Sequence, residues 1–289
     1  MSRILYYTLL KPLSYLPLPV LHRISDVLFV LFYYIIGFRK KVVLGNMRRA
    51  FPERSAAEIE QLAKQFYQNL CDIIIESVRM FSISRAELLR RCPVVNPELF
   101  DTYIAQGRSA IMVAGHCHNW ELAAVACGLQ IPHQAVGIYH PLSDRFMDTR
   151  LRHSRGRFGM ELVATKNVAQ FFENSQHRLT VTIFGADQSP SDPKRAYWTT
   201  FLNQDTGVLF GTEKYAVQYN YPVLFGKVSK LRRGYYQMEF DVLSENPADT
   251  TYGTISELHT RALETQILED PAAWLWTHRR WKHQRPAHT

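Results

Sequence analysis

From Ser109 onward, short apolar runs alternate with stretches of helical periodicity, and this alternation restricts the possible folds more than any other feature of the chain. Runs with the character of strands cover residues 110–114, 135–139, 179–184, 223–228 and 236–242, with a weaker one at 161–163. Helical stretches at 122–129, 144–155, 168–174 and 211–219 lie between them, and another at 252–269 follows the last. Antiparallel hairpins leave no room for such insertions, so the order predicts an α/β fold with a mostly parallel central sheet flanked by helices. Ahead of it, Ser55-Ala-Ala-Glu58 has the pattern of a capping box, opening a long amphipathic helix through Phe66, Leu70 and Ile74 toward Met80. A second helix is expected over 84–91, ended by Pro93.

The N-terminal fifty residues differ in character. They hold eight Lys and Arg (Arg3, Lys11, Arg23, Arg39, Lys40, Lys41, Arg48, Arg49) against one acid, Asp26, and so carry most of the chain's net charge of +8. Val27 to Ile36 is an unbroken apolar run. A full bilayer span takes about twenty apolar residues, so the run predicts a helix lying in the membrane interface, with basic flanks attracted to anionic headgroups. If the segment does cross, Arg39-Lys-Lys41 mark the cytoplasmic side. The competing structure is an ordinary buried core helix. Nucleic acid is not an expected partner, because zinc-finger spacing and RNA-recognition signatures are missing and a basic stripe with interleaved aromatics occurs only near the C-terminus. The four cysteines, Cys71, Cys92, Cys117 and Cys127, form no Cys-x-x-Cys pair and fit reduced thiols in the cytosol.

Chemistry concentrates where the first strand is expected to end. Gly115-His-Cys-His-Asn-Trp-Glu121 places an imidazole five residues before a carboxylate, between that strand and the following helix. His116 in the turn is suited to general-base work, with Glu121 one helical turn in to hold one ring nitrogen and leave the other for a substrate hydroxyl. Two rivals use the same residues: Cys117 as a nucleophile beside a histidine, and His116, His118 and Glu121 as metal ligands. Neither has a convincing partner set, so the expected site holds no metal and no other cofactor. In open parallel sheets ligands gather beyond the carboxyl ends of the strands, and His116, Tyr139 and Asp187 all fall there.

The string from His116 to Glu121 resembles the H-x4-D/E motif of glycerolipid-type acyltransferases, and its Asn-Trp-Glu ending looks like the late acyltransferases of lipid A biosynthesis, the lauroyl/myristoyl family. Other segments agree in order and spacing. Arg39-Lys-Lys-Val-Val43, Asn46 and Ala50-Phe-Pro-Glu53 are similar to the basic, Asn-containing, Phe-Pro segment that follows the family's N-terminal hydrophobic stretch. Tyr139-His-Pro141 with Arg155-Gly-Arg-Phe-Gly159, Phe184-Gly-Ala-Asp-Gln188, Phe201 with Thr206-Gly207, and Trp274-Leu-Trp-Thr-His-Arg-Arg-Trp-Lys282 resemble its later blocks. The likeness covers residues 1 to 286. Where family members often carry Thr-Gly-Pro, this chain has Val208 in the third place.

The resemblance implies a membrane-associating region over 1–50 and an acyltransferase domain over 51–289. It implies transfer of a fatty acyl chain from acyl carrier protein, or coenzyme A, to a hydroxyl of a lipid A precursor at the cytoplasmic face of a bacterial inner membrane. His116 and Glu121 would form the general-base pair, with no acyl-enzyme. Arg155 and Arg157 would neutralise a phosphate of either substrate, and Asp187 would bond the acceptor or brace the site. Trp274, Trp276, Trp281 and the basic cluster from His278 to Lys282 would meet a headgroup-level surface or an acidic carrier protein, or else pack in the core. A phospholipid, aminolipid or glycolipid acceptor keeps the same chemistry, and a catalytically idle lipid-binding protein is the alternative from another class.

Overall fold

The computed structural model describes residues 1–286, so the last three residues of the region expected over 51–289 lie outside it. Among the described residues there are eight strands: β1 (Ala110–Ala114), β2 (Gln134–Tyr139), β3 (Glu161–Ala164), β4 (Thr180–Gly185), β5 (Ala196–Phe201), β6 (Gln204–Leu209), β7 (Val223–Arg232) and β8 (Tyr235–Ser244). Six of them form one sheet in the order β3-β2-β4-β1-β7-β8. Its neighbours are parallel except for the β7–β8 pair, which is antiparallel. β1 shows why the sheet is covered on both sides. Ala110 and Met112 join an apolar cluster with Leu122, Ala126 and Phe240, while Ile111 and Val113 join another with Phe172, Ala216 and Ile255. Alternate side chains of one strand thus enter two cores, as the two-residue period of a strand demands.

The helices are α1 (Ser2–Leu5), α2 (Lys11–Leu13), α3 (Leu18–Val30), α4 (Lys40–Ala50), α5 (Ala56–Arg79), α6 (Arg85–Arg91), α7 (Leu99–Ala105), α8 (Trp120–Cys127), α9 (Arg145–Gly156), α10 (Val168–Asn174), α11 (Gly211–Tyr219) and α12 (Thr254–Glu269). The capping box that opens α5 is complete: the Ser55 hydroxyl accepts from Glu58 N, and Glu58 accepts from Ser55 N at 2.7 Å. One stripe of α5, including Ile59, Leu62, Phe66, Tyr67 and Leu70, is buried.

The N-terminal helix is longer than the apolar run from Val27 suggests. α3 begins at Leu18, directly after Pro17, and continues through a wider π-type stretch to Ile36, where Gly37 in the left-handed region ends it. Pro19 lies in the first turn, where its missing N–H has no helical partner to lose. The 19 helical residues are long and apolar enough by composition to cross a membrane, about 28 Å at 1.5 Å per residue. Packing shows a half-covered helix instead. Leu21, Ser25 and Tyr33 are buried, while Val27, Tyr34, Ile35 and Ile36 are exposed. On the covered face Ser25 donates to Asp72 of α5 at 2.7 Å, and Arg233 joins Asp26 to Asp72. Leu18–Ile36 is a candidate membrane-associating segment with one face available to lipid.

β5 and β6 form a separate antiparallel hairpin that the apolar pattern of the sequence does not announce. Its turn is made by Leu202 and Asn203, both with positive φ. Two-residue hairpins need that conformation and usually take it from glycine, so the turn lacks its commonest marker.

Candidate active site

β1 and β4 are direct neighbours, with Ala114 opposite Gly185. Continuing both chains by two residues brings His116 and Asp187 together beyond the carboxyl ends of adjacent parallel strands. The contact is close. His116 N–H donates to Asp187 Oδ2 at 2.8 Å, and the ring Nδ1 meets Oδ1 at 2.5 Å. Trp274 Nε1–H donates to Oδ2 at 2.7 Å. Three donors therefore hold a carboxylate whose side chain is 2% exposed. Burial favours the neutral acid, but the charge and hydrogen bonds of His116, with the Trp274 donor, outweigh it and hold Asp187 well below the usual carboxylate range.

The effect on His116 has the opposite sign. Burial disfavours the imidazolium most strongly, yet the Asp187 charge and hydrogen bond, helped by the Glu121 charge, raise His116 above its ordinary value. An acceptor at Nδ1 fixes the proton there and leaves the lone pair on Nε2. The Gln188 amide nitrogen lies 3.3 Å from Nε2, where its N–H meets that lone pair. The His116 side chain is 20% exposed, so an incoming hydroxyl can reach the ring.

The loop carrying His116 is held by close packing and by the C-terminal segment. A Cβ at Gly185 would come within 2.9 Å of His116 Cε1 and displace the ring, and one at Gly115 would come within 2.3 Å of Leu263 Cδ1 and make that side chain shift. His118 takes a left-handed conformation with φ 50°, and its N–H donates to Ala273 O at 3.0 Å. Cys117 pairs through its backbone with Trp274. From the other side, Asn46 of α4 donates to the carbonyls of Trp276 and His278, both at 3.0 Å. Trp274 and Trp276 are core residues, 2% and 0% exposed, so the packing role weighed for them is the one observed.

The sequence expectation makes Glu121 the partner of His116, and here the structure differs. Glu121 lies in the first turn of α8, and the fork of Arg155 on α9 takes both its oxygens, with Nε at 2.8 Å and Nη2 at 2.6 Å. Nδ1 of His116 goes to Asp187, so the orienting bond comes from the end of β4 and not from the nearby helix. Asp187 turns its nearly buried carboxylate to His116 and Trp274. Arg155 stays near His116 as one half of an ion pair that is 24% and 28% exposed. Arg157 is exposed, and its Nη2 donates to the carbonyls of Met80 at 3.2 Å and Ile83 at 2.5 Å, at the end of α5. One nitrogen of its guanidinium thus anchors the fold.

The rivals lose their geometry as well. The Cys117 thiol is buried, and desolvation pushes it well above its ordinary value, so it is no thiolate nucleophile. His118 turns to Asp270, 3.4 Å away, and burial lowers it to about 4. Among the described residues no group of three His, Cys, Asp or Glu side chains is placed to hold a metal ion.

Three contributors escape a reading of the sequence. Gln188 follows Asp187 directly and is legible only as part of a strand-end pair. Trp274 is visible as an aromatic, but its donor role follows from a contact made across 87 residues. Gly185 carries no chemistry, and only the position of the His116 ring reveals its importance.

Residues 2–283 match the family model described as bacterial lipid A biosynthesis acyltransferase. No curated protein matches the chain.

Proposed function

The chain belongs to the bacterial lipid A biosynthesis acyltransferase family, and from that premise we propose that it transfers a fatty acyl chain from acyl carrier protein, or less favourably coenzyme A, to a hydroxyl of a lipid A precursor. The observation that carries the mechanism is the His116–Asp187 pair at the ends of adjacent parallel strands, with Nε2 left as the acceptor. The acceptor hydroxyl displaces the Gln188 amide from Nε2 and gives up its proton there as the oxygen attacks the thioester carbonyl. Asp187 stabilises the imidazolium that forms. Collapse of the tetrahedral intermediate breaks the carbon–sulfur bond, and the Nε2 proton passes to the leaving sulfur, so proton and electron counts balance without an acyl-enzyme.

Glu121 and Arg155 serve in this scheme as a polar wall. Arg155 spends Nε and Nη2 on Glu121, which leaves Nη1 for a phosphate of the donor arm or the acceptor. The exposed face of Leu18–Ile36, with Arg39, Lys40 and Lys41 at its end, rests on the anionic cytoplasmic surface of the inner membrane and brings the cleft to a lipid acceptor. The bonds from Ser25 and Asp26 to α5 and Arg233 favour a helix lying along the bilayer over one crossing it, since crossing would drag these polar partners into hydrocarbon.

The test offers purified protein an acyl carrier thioester together with a lipid A precursor bearing a free hydroxyl and a phospholipid in one vesicle. Mass spectrometry then shows which lipid gains one acyl chain. Gain on the phospholipid alone refutes the proposed acceptor and keeps the chemistry; gain on neither, with the thioester intact, refutes the enzyme.

A further inference from the structure

We propose that Glu76 is a positioning residue for the His116 loop, and that His22 makes this positioning depend on the seating of the N-terminal helix. The inference rests on the acyl-transfer function above. Glu76 lies on α5 with a fully buried side chain. Its Oε2 accepts from Asn119 Nδ2 at 2.8 Å, Arg91 Nη2 at 2.9 Å and the Tyr236 hydroxyl at 3.1 Å, and its Oε1 from His22 Nε2 at 3.1 Å. One carboxylate thus ties α5 to the active-site loop, α6, β8 and α3. Burial pushes Glu76 toward the neutral acid, but the bond from His22 and the charge of Arg91, with the Asn119 bond, hold it below its usual range. An ionised carboxylate with four donors is a rigid hub.

Asn119 transmits this rigidity. Its Oδ1 accepts from Leu122 N at 3.0 Å and caps α8, while its Nδ2 reaches Glu76. The same side chain therefore sets the start of α8 and the exit of the loop that began at His116. Opposite it, the bond from His118 N to Ala273 O fixes the other side of the turn. Removing the Glu76 contact leaves the loop pinned on one side only. His22 adds the link to α3, whose outer face is the lipid-facing one. When α3 lifts from α5, Glu76 loses a donor and gains water, and its grip on Asn119 slackens.

The test uses the full chain in vesicles. Asn119→Ser keeps an oxygen to cap Leu122 N but is too short to reach Glu76. It lowers kcat by about 10- to 100-fold, with KM for the thioester within about twofold and the melting temperature lowered by several degrees, since a buried carboxylate loses a donor. His22→Ala lowers kcat in the same direction by a smaller factor. A second readout is independent of acyl transfer: the rate at which diethylpyrocarbonate modifies His116, followed by peptide mass spectrometry, changes in both variants. If wild type transfers no acyl chain while the modification rates shift, the enzymatic reading fails and the positioning stands. If Asn119→Ser keeps wild-type kcat and modification rate, the positioning role is overturned; if His22→Ala alone keeps both, the coupling to α3 is overturned.

Discussion

Replacing Asp187 by asparagine tests the site more sharply than removing the side chain. Oδ2 accepts from two N–H groups, His116 N and Trp274 Nε1, whereas Oδ1 faces one ring nitrogen. In Asp187→Asn the amide oxygen would therefore be drawn to the two donors, and the NH2 would face Nδ1. That forces the proton of His116 onto Nε2, the nitrogen that must accept one. Restoring the productive tautomer costs about 1 to 3 kcal/mol for donors left unpaired, and losing a charged hydrogen bond costs about 1.5 to 3 kcal/mol more. Together these amount to about 2.5 to 6 kcal/mol, or roughly seventy-fold to more than ten-thousand-fold in kcat. The pH profile moves too. A general base works when neutral, so wild-type activity rises as pH passes a His116 value lying above the ordinary imidazole range. Without the Asp187 charge, burial dominates and the acid limb shifts to lower pH. The assay is single-turnover acyl transfer from about pH 5 to about pH 9, a span that covers the titration of imidazole. A variant with native melting behaviour, kcat within tenfold of wild type and an unmoved acid limb would show that Asp187 does not set the tautomer of His116.

Three further outcomes follow from the same geometry. Gly185→Ala puts a methyl 2.9 Å from His116 Cε1, so the ring shifts and kcat drops about tenfold or more; steady-state kinetics at wild-type stability checks this. Because the Glu121 charge raises His116 and the Arg155 charge lowers it, Glu121→Gln moves the acid limb of the rate profile down and Arg155→Met moves it up, read from kcat/KM against pH. His259 is buried and lowered to about 4 by burial and then by the Arg280 charge. Its unfolded form takes a proton first, so stability falls as pH drops from about 6.5 toward 4, by up to ~3 kcal/mol. His259→Gln removes that part of the slope in urea unfolding curves.

The sheet is legible in the sequence because its strands are apolar on both faces, and a run such as Ala110–Ala114 next to Gly115 has few other uses. The start of α3 is not, since Pro17 and Pro19 look like helix breakers until the helix is seen to begin between them. The β5–β6 hairpin hides behind a turn without glycine, although Tyr197, Trp198, Thr199 and Thr200 carry strand preference. At the site, His116 and Asp187 both fall beyond strand ends on the sequence alone, but their pairing depends on β4 inserting between β1 and β2. Strand order is set by packing across the sheet and leaves no local trace, so the sequence points to Glu121, close by, and not to Asp187, which the fold brings to Nδ1 of His116.

His116, oriented by Asp187, is held to remove the proton from an acceptor hydroxyl, and everything in the mechanism turns on that step. The most direct measurement is single-turnover transfer from an acyl carrier thioester to a lipid A precursor by wild type and His116→Ala, with products weighed by mass spectrometry. Wild type is expected to yield acylated lipid and the variant to lose at least about a hundredfold, in keeping with removal of a general base. Equal rates from the two proteins would contradict that role for His116.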